Sequence, residues 1–135
     1  MSTRGWQWLF WALLVAWVTF AVLEATGFGP YAIRAYGADL AVPAWLYIVL
    51  RSLDNPNRRR VIRRHLGRTP QTAAGLLFAA STATELSQRF VPNGPFPGTF
   101  DPRDIASFGV GIAIVYWLDR RTPLRADFRK RNTVN

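Results

Sequence analysis

Apolar residues along this chain fall into four blocks, separated by charged or Pro/Gly-rich connections. The first block, 6–23, approaches the length a helix needs to cross a bilayer, at about 1.5 Å per residue over about 30 Å of hydrocarbon. Arg4 ahead of it also suits a signal peptide. The apolar stretch nevertheless exceeds the usual core of about 7 to 15 residues and carries bulky tryptophans, so it reads as a retained span. Trp6 and Trp8 are expected at the membrane interface as aromatic anchors, and Trp11 and Trp17 against lipid or other helices.

The second block, 38–53, is shorter. Asp39 stands at its start as a candidate cap and Pro43 follows one turn later, which predicts a kinked or partly unwound first turn. The third, 70–90, has Thr69 as N-cap and Pro70 at the first helical position, where the missing N–H costs nothing. The fourth, 102–118, repeats that start with Asp101 and Pro102, and Asp104 falls three residues past the cap, near the positive helix end. Between them, 91–100 holds three Pro and two Gly and predicts a loop. The fold expected is all-α, a single domain over 1–135: a polytopic membrane protein with four transmembrane helices in an antiparallel bundle.

Charge then sets an orientation. With the N-terminus inside and four crossings, the inner side collects Arg4, seven Arg from Arg51 to Arg68, and six Lys/Arg from Arg120 to Arg131. That is fourteen of the seventeen basic residues, and only Arg34, Arg89 and Arg103 fall outside. The positive-inside rule accounts for this asymmetry with both termini cytoplasmic, so the net charge of +9 implies no nucleic-acid partner. The outer side instead collects Glu24, Asp39, Glu85, Asp101 and Asp104. The inner loop 54–69 carries Arg58, Arg59, Arg60, Arg63 and Arg64 around Val61, Ile62 and Leu66, a pattern suited to contact with anionic lipid, where each basic residue adds about 1 kcal/mol.

The absence of cysteine excludes disulfides and thiolate chemistry. No cofactor or resident metal is expected, and no His, Cys or phosphate-cradling Gly loop supports a catalytic set.

An ionisable side chain at membrane depth is kept where it faces protein, water or a partner. Ser81, Thr84, Glu85 and Gln88 form one polar stripe on the third helix. Gly75, Ala79 and Ala83 form a second line, matched on the fourth helix by Gly109 with Ala113 and by Ser107 with Gly111, and small residues at such spacing allow close helix approach. A crossing of the third and fourth helices brings Asp104 toward Glu85 and Gln88. The candidate cluster is therefore Glu85, Gln88, Arg89, Asp104, Asp39 and Arg103. A purely structural reading pairs Glu85 with Arg89 one turn on, leaves Asp101 and Asp104 as caps, and treats Trp45 and Tyr47 as packing or interface aromatics.

At these residues the chain resembles the VanZ-like membrane proteins: Glu85 and Gln88, a Pro/Gly loop, Gly98, Phe100, Asp104 and Ile105, then Gly111. The run Arg34, Gly37, Asp39, Tyr47 and Arg51 is similar to the second-helix region of short uncharacterised relatives of that family. The chain departs from the pattern at Gly98 and Phe108, where the family carries Arg and Asn. The resemblance implies a membrane protein of four to five helices in the bacterial plasma membrane, in a family whose namesake is associated with low-level resistance to a glycopeptide antibiotic.

Three functions remain open. The first is a non-enzymatic envelope protein whose outward polar pocket takes a lipid headgroup, a cell-wall precursor or an amphipathic antibiotic. The second is an accessory subunit on a larger membrane complex. The third is a membrane enzyme in which Glu85 and Asp104 act as an acid/base pair or hold a hard divalent cation through carboxylate oxygens.

Overall fold

The computed structural model of the chain describes residues 2–52, 69–91, 93–94 and 99–124. Among these the protein is helical without strands, in four helices: α1 (Thr3–Thr26), α2 (Tyr31–Ser52), α3 (Pro70–Phe90) and α4 (Pro102–Arg121). The basic residues Arg58, Arg59, Arg60, Arg63 and Arg64 lie outside the described residues.

The ends of the helices follow from local chemistry. Ser2 caps α1 by accepting the Gly5 N–H at 3.3 Å. Gly27 ends it in the left-handed region (φ 70°) with its N–H on the Glu24 carbonyl, and Gly29 (φ 94°) completes the reversal. Thr69 and Thr72 form a reciprocal capping box at the start of α3, followed by Pro70 at the first position. Asp101 caps α4 by accepting the Arg103 N–H at 2.9 Å.

The second helix departs from expectation. It begins at Tyr31 rather than near Ala38, because the Pro30 carbonyl accepts the N–H groups of Ile33 and Arg34 and starts the helix there. Asp39 is consequently a mid-helix residue and not a cap, and Pro43 lies buried in the helix interior rather than in an unwound first turn.

Paired contacts give the directions of the helices. Phe20 lies against Gly37 while Phe10 meets Trp45 at 5.5 Å between ring centroids, so α1 and α2 run oppositely. Leu40 backs Gly111 and Tyr47 meets Asp119, so α2 and α4 run the same way. Glu85 meets Asp101 while Phe78 meets Gly109, so α3 opposes α4. Helix α2 packs against all three others.

The closest approach is at Gly111, where an added Cβ would overlap the Leu40 carbonyl oxygen. The small-residue line that matters is thus the Ser107 and Gly111 line, turned toward α2. The Gly75, Ala79 and Ala83 line is exposed, and nothing lies within 4 Å of a Cβ placed on Gly75.

The core gathers at the end of the molecule where α1 begins, α2 ends and α4 ends. Trp6, Tyr47, Ile48, Ile112, Val115 and Leu124 are its larger members. Trp6 is not an interface anchor: it is 2 % exposed and its indole N–H donates to the Thr122 carbonyl at 3.2 Å. Trp8, on the opposite face, is 76 % exposed.

Two helices, Arg4–Thr26 and Tyr31–Ser52, are long and apolar enough to cross a membrane, and the first buries none of its apolar window inside the protein. Trp11, Val15, Val18 and Val22 on α1 and Val110, Ile114 and Trp117 on α4 continue the exposed apolar surface.

Candidate functional site

Polar side chains gather at both ends of the helical array, and the two groups differ in kind. At the first end, where α1 gives way to α2 and α3 to α4, every helix supplies an acid. Glu24 closes α1, Asp39 lies two turns into α2, Glu85 sits in the second-last turn of α3, and Asp101 and Asp104 open α4.

Glu85 is 5 % exposed, and its Oε2 accepts the Asp101 N–H at 3.4 Å. Asp39 and Asp104 face each other at hydrogen-bonding range, and Glu85 lies close enough to both for mutual repulsion. Pro43 adds another acceptor here, since it removes the N–H that would bond the Asp39 carbonyl in a regular helix.

The arginines of this end do not neutralise these carboxylates directly. Arg89 holds its guanidinium over the Phe100 ring, 5.5 Å from the centroid, rather than on Glu85 as sequence spacing suggests. Arg103 is exposed and donates through Nη1 to the Tyr36 hydroxyl at 3.3 Å, and that hydroxyl donates to Asp101 Oδ2 at 3.3 Å. Arg34 is half-buried with its Nε lacking a hydrogen-bond partner. Gln88 is half-buried one turn on from Glu85.

The structure therefore brings together Asp39, Glu85 and Asp104 of the expected cluster, adds Tyr36 and Asp101, and leaves Arg89 and Arg103 at its rim. No group of three or more His, Asp or Glu side chains among the described residues is arranged to hold a metal ion.

The opposite end carries a network that sequence reasoning missed. Arg51 Nε donates to Asp119 Oδ2 at 2.6 Å, Tyr47 Oη donates to the same oxygen at 2.8 Å, and the Leu124 N–H donates to Asp119 Oδ1 at 2.9 Å. All three side chains are buried. A carboxylate in the last turn of a helix opposes the helix dipole and needs a strong partner to remain there. That misplacement, together with the one-turn spacing of Tyr47 and Arg51, is the cue the sequence offered.

An apolar groove of about 400 Å³ lies between α3 and α4, with Gly75, Phe78, Gly109, Ala113 and Tyr116 among its walls. A neighbouring one of about 410 Å³ shares Ala113 and adds Ile114, Trp117 and Leu118.

Comparison with known protein families, curated proteins and solved structures finds no match for the chain. The resemblance to VanZ-like proteins accordingly rests on its motif residues alone.

Proposed function

We propose that this chain is a small integral membrane protein of four spans in an alternating bundle, with both termini on the cytoplasmic side, and that its outward acid end is a non-enzymatic binding site. The ligand class is an amphiphile with an amine-bearing or strongly hydrogen-bond-donating head: an envelope lipid, a cell-wall precursor or an amphipathic antibiotic.

One observation carries the reading. Asp39, Glu85 and Asp104 come from three helices to one place, and among the described residues no Lys or Arg makes an ion pair with any of them. Concentrated acid of this kind, held in a low-dielectric setting, favours a cationic or donor-rich group that completes it. The apolar outer faces of α1 and α4 support lipid as surroundings, and the skew of arginines toward one side supports the orientation. A bacterial plasma membrane is the setting the resemblance implies.

The test is Glu85→Gln in the full chain. The variant accumulates in the membrane as the parent does, and binding of an amine-headed amphiphile to protein in vesicles falls at least about tenfold, the loss expected when a charge-assisted hydrogen bond becomes neutral. Unchanged binding would sink the proposal.

A second reading, an accessory subunit of a larger complex, draws on the exposed Trp8, Trp11, Val15, Val18 and Val22 face of α1. It predicts a stoichiometric partner that co-purifies in mild detergent and is lost when Trp11 is replaced by Ala.

A further inference from the structure

The outer surface of α4 carries two parallel stripes at helical spacing. Gly109, Ala113, Tyr116 and Arg120 form one, and Val110, Ile114, Trp117 and Arg121 form the other. Each stripe runs along one of the two apolar grooves and ends in an arginine. Each arginine folds back onto the aromatic residue one turn earlier. Arg120 donates through Nη1 to the Tyr116 hydroxyl at 3.1 Å, and the Arg121 guanidinium sits 3.7 Å from the centroid of the Trp117 ring. Tyr116 and Trp117 are themselves groove walls.

From this arrangement we infer that the α3/α4 face seats an anionic phospholipid, its acyl chains in the two grooves and its phosphate between Arg120 and Arg121. The inference rests on the membrane reading given above but concerns the opposite end of the molecule from the acid cluster.

Three features select this occupant. The grooves are open and mainly apolar, with Gln71 the one polar amide among the described lining residues, and Ala113 lines both of them, as neighbouring hydrocarbon chains require. Their combined size exceeds that of many small-ligand sites, which start at about 300 Å³. Among the described residues, two exposed guanidiniums stand at the ends of these stripes, and arginine presents a planar donor fork suited to phosphate oxygens. The aromatic rings hold those forks at the groove ends, so little side-chain freedom is lost on binding.

The experiment is native mass spectrometry of the full chain in mild detergent, with added phosphatidylglycerol or phosphatidylcholine of identical acyl chains. The parent retains phosphatidylglycerol preferentially. Arg120→Gln and Arg121→Gln each reduce that preference by about fivefold and together by about twenty-five-fold, from the usual attraction of a basic residue to an anionic lipid surface. Gly75→Leu, whose Cβ stands in open space and whose longer side chain enters one groove, lowers retention of both lipids while the helical melt stays at the parent value.

Equal retention of the two lipids by the parent, or an unchanged preference in the double glutamine variant, overturns the inference. A dimer that Gly75→Leu abolishes assigns the groove to a second copy and also overturns it. Extraction of the parent from membranes by alkaline carbonate would remove the membrane reading beneath it, whereas an integrated chain indifferent to headgroup charge sinks this inference alone.

Discussion

Arg51 and Asp119, 68 residues apart in sequence, form a hydrogen-bonded ion pair that closes the end of α2 onto the end of α4. Their side chains are 3 % and 0 % exposed, so two charges are held almost without water. A pair so enclosed is costly to assemble and costlier to break, because removing one member strands the other charge. Asp119→Ala is expected to lower stability by about 3–5 kcal/mol, read from thermal unfolding in detergent. Tyr47→Phe, which removes a single donor, costs about 1.5–3 kcal/mol. The double replacement Arg51→Met with Asp119→Leu recovers much of the loss, and a double variant as unstable as Asp119→Ala would refute this account.

Two glycines of similar appearance behave oppositely. Gly111→Ala drives a methyl group into the Leu40 backbone carbonyl, which no rotamer change relieves, and costs about 1–3 kcal/mol. Gly75→Ala meets open space in a helix interior and gains about 0.5–1 kcal/mol. Parallel melting curves of the two variants decide the matter.

The tryptophans of α1 divide in the same way. Trp6→Ala empties a buried site and forfeits the bond to Thr122, for a loss of about 3–5 kcal/mol. Trp6→Phe keeps most of the packing and loses about 1 kcal/mol with the hydrogen bond. Trp8→Ala changes the melt by no more than about 0.5 kcal/mol, since its ring touches little of the protein.

At the acid end, Asp101→Ala removes the α4 cap and the acceptor for Tyr36 together, at about 1 kcal/mol for the cap. Tyr36→Phe alone costs less, because its bonds are only partly buried. The two changes are expected to be non-additive, and a double-mutant cycle measures the coupling.

The parts of this structure that the sequence announced are those fixed by neighbours in the chain. Thr69 with Pro70 and Asp101 with Pro102 are local signals, and α3 and α4 start where those signals stand. The start of α2 was hidden, because Asp39 and Pro43 imitate a helix opening while Pro30 makes the real one. Helix packing then keeps Pro43 in the interior, against its intrinsic preference.

The candidate site was legible to the same degree. Polar spacing on α3 pointed Glu85 inward, and the crossing with α4 brings Asp104 near it. The choice Arg89 makes between Glu85 and Phe100, and the pairing of Arg51 with Asp119, depend on helix placement rather than spacing. Charge counting places Arg51 among the cytoplasmic residues and so conceals its use inside the fold.

Asp39 and Arg51 ride on one rod, about 18 Å apart along its axis, and that rod packs against each of the other three described helices. Between those two ends Pro43 leaves the Asp39 carbonyl without its helical N–H partner, so the backbone that links them is one hydrogen bond short.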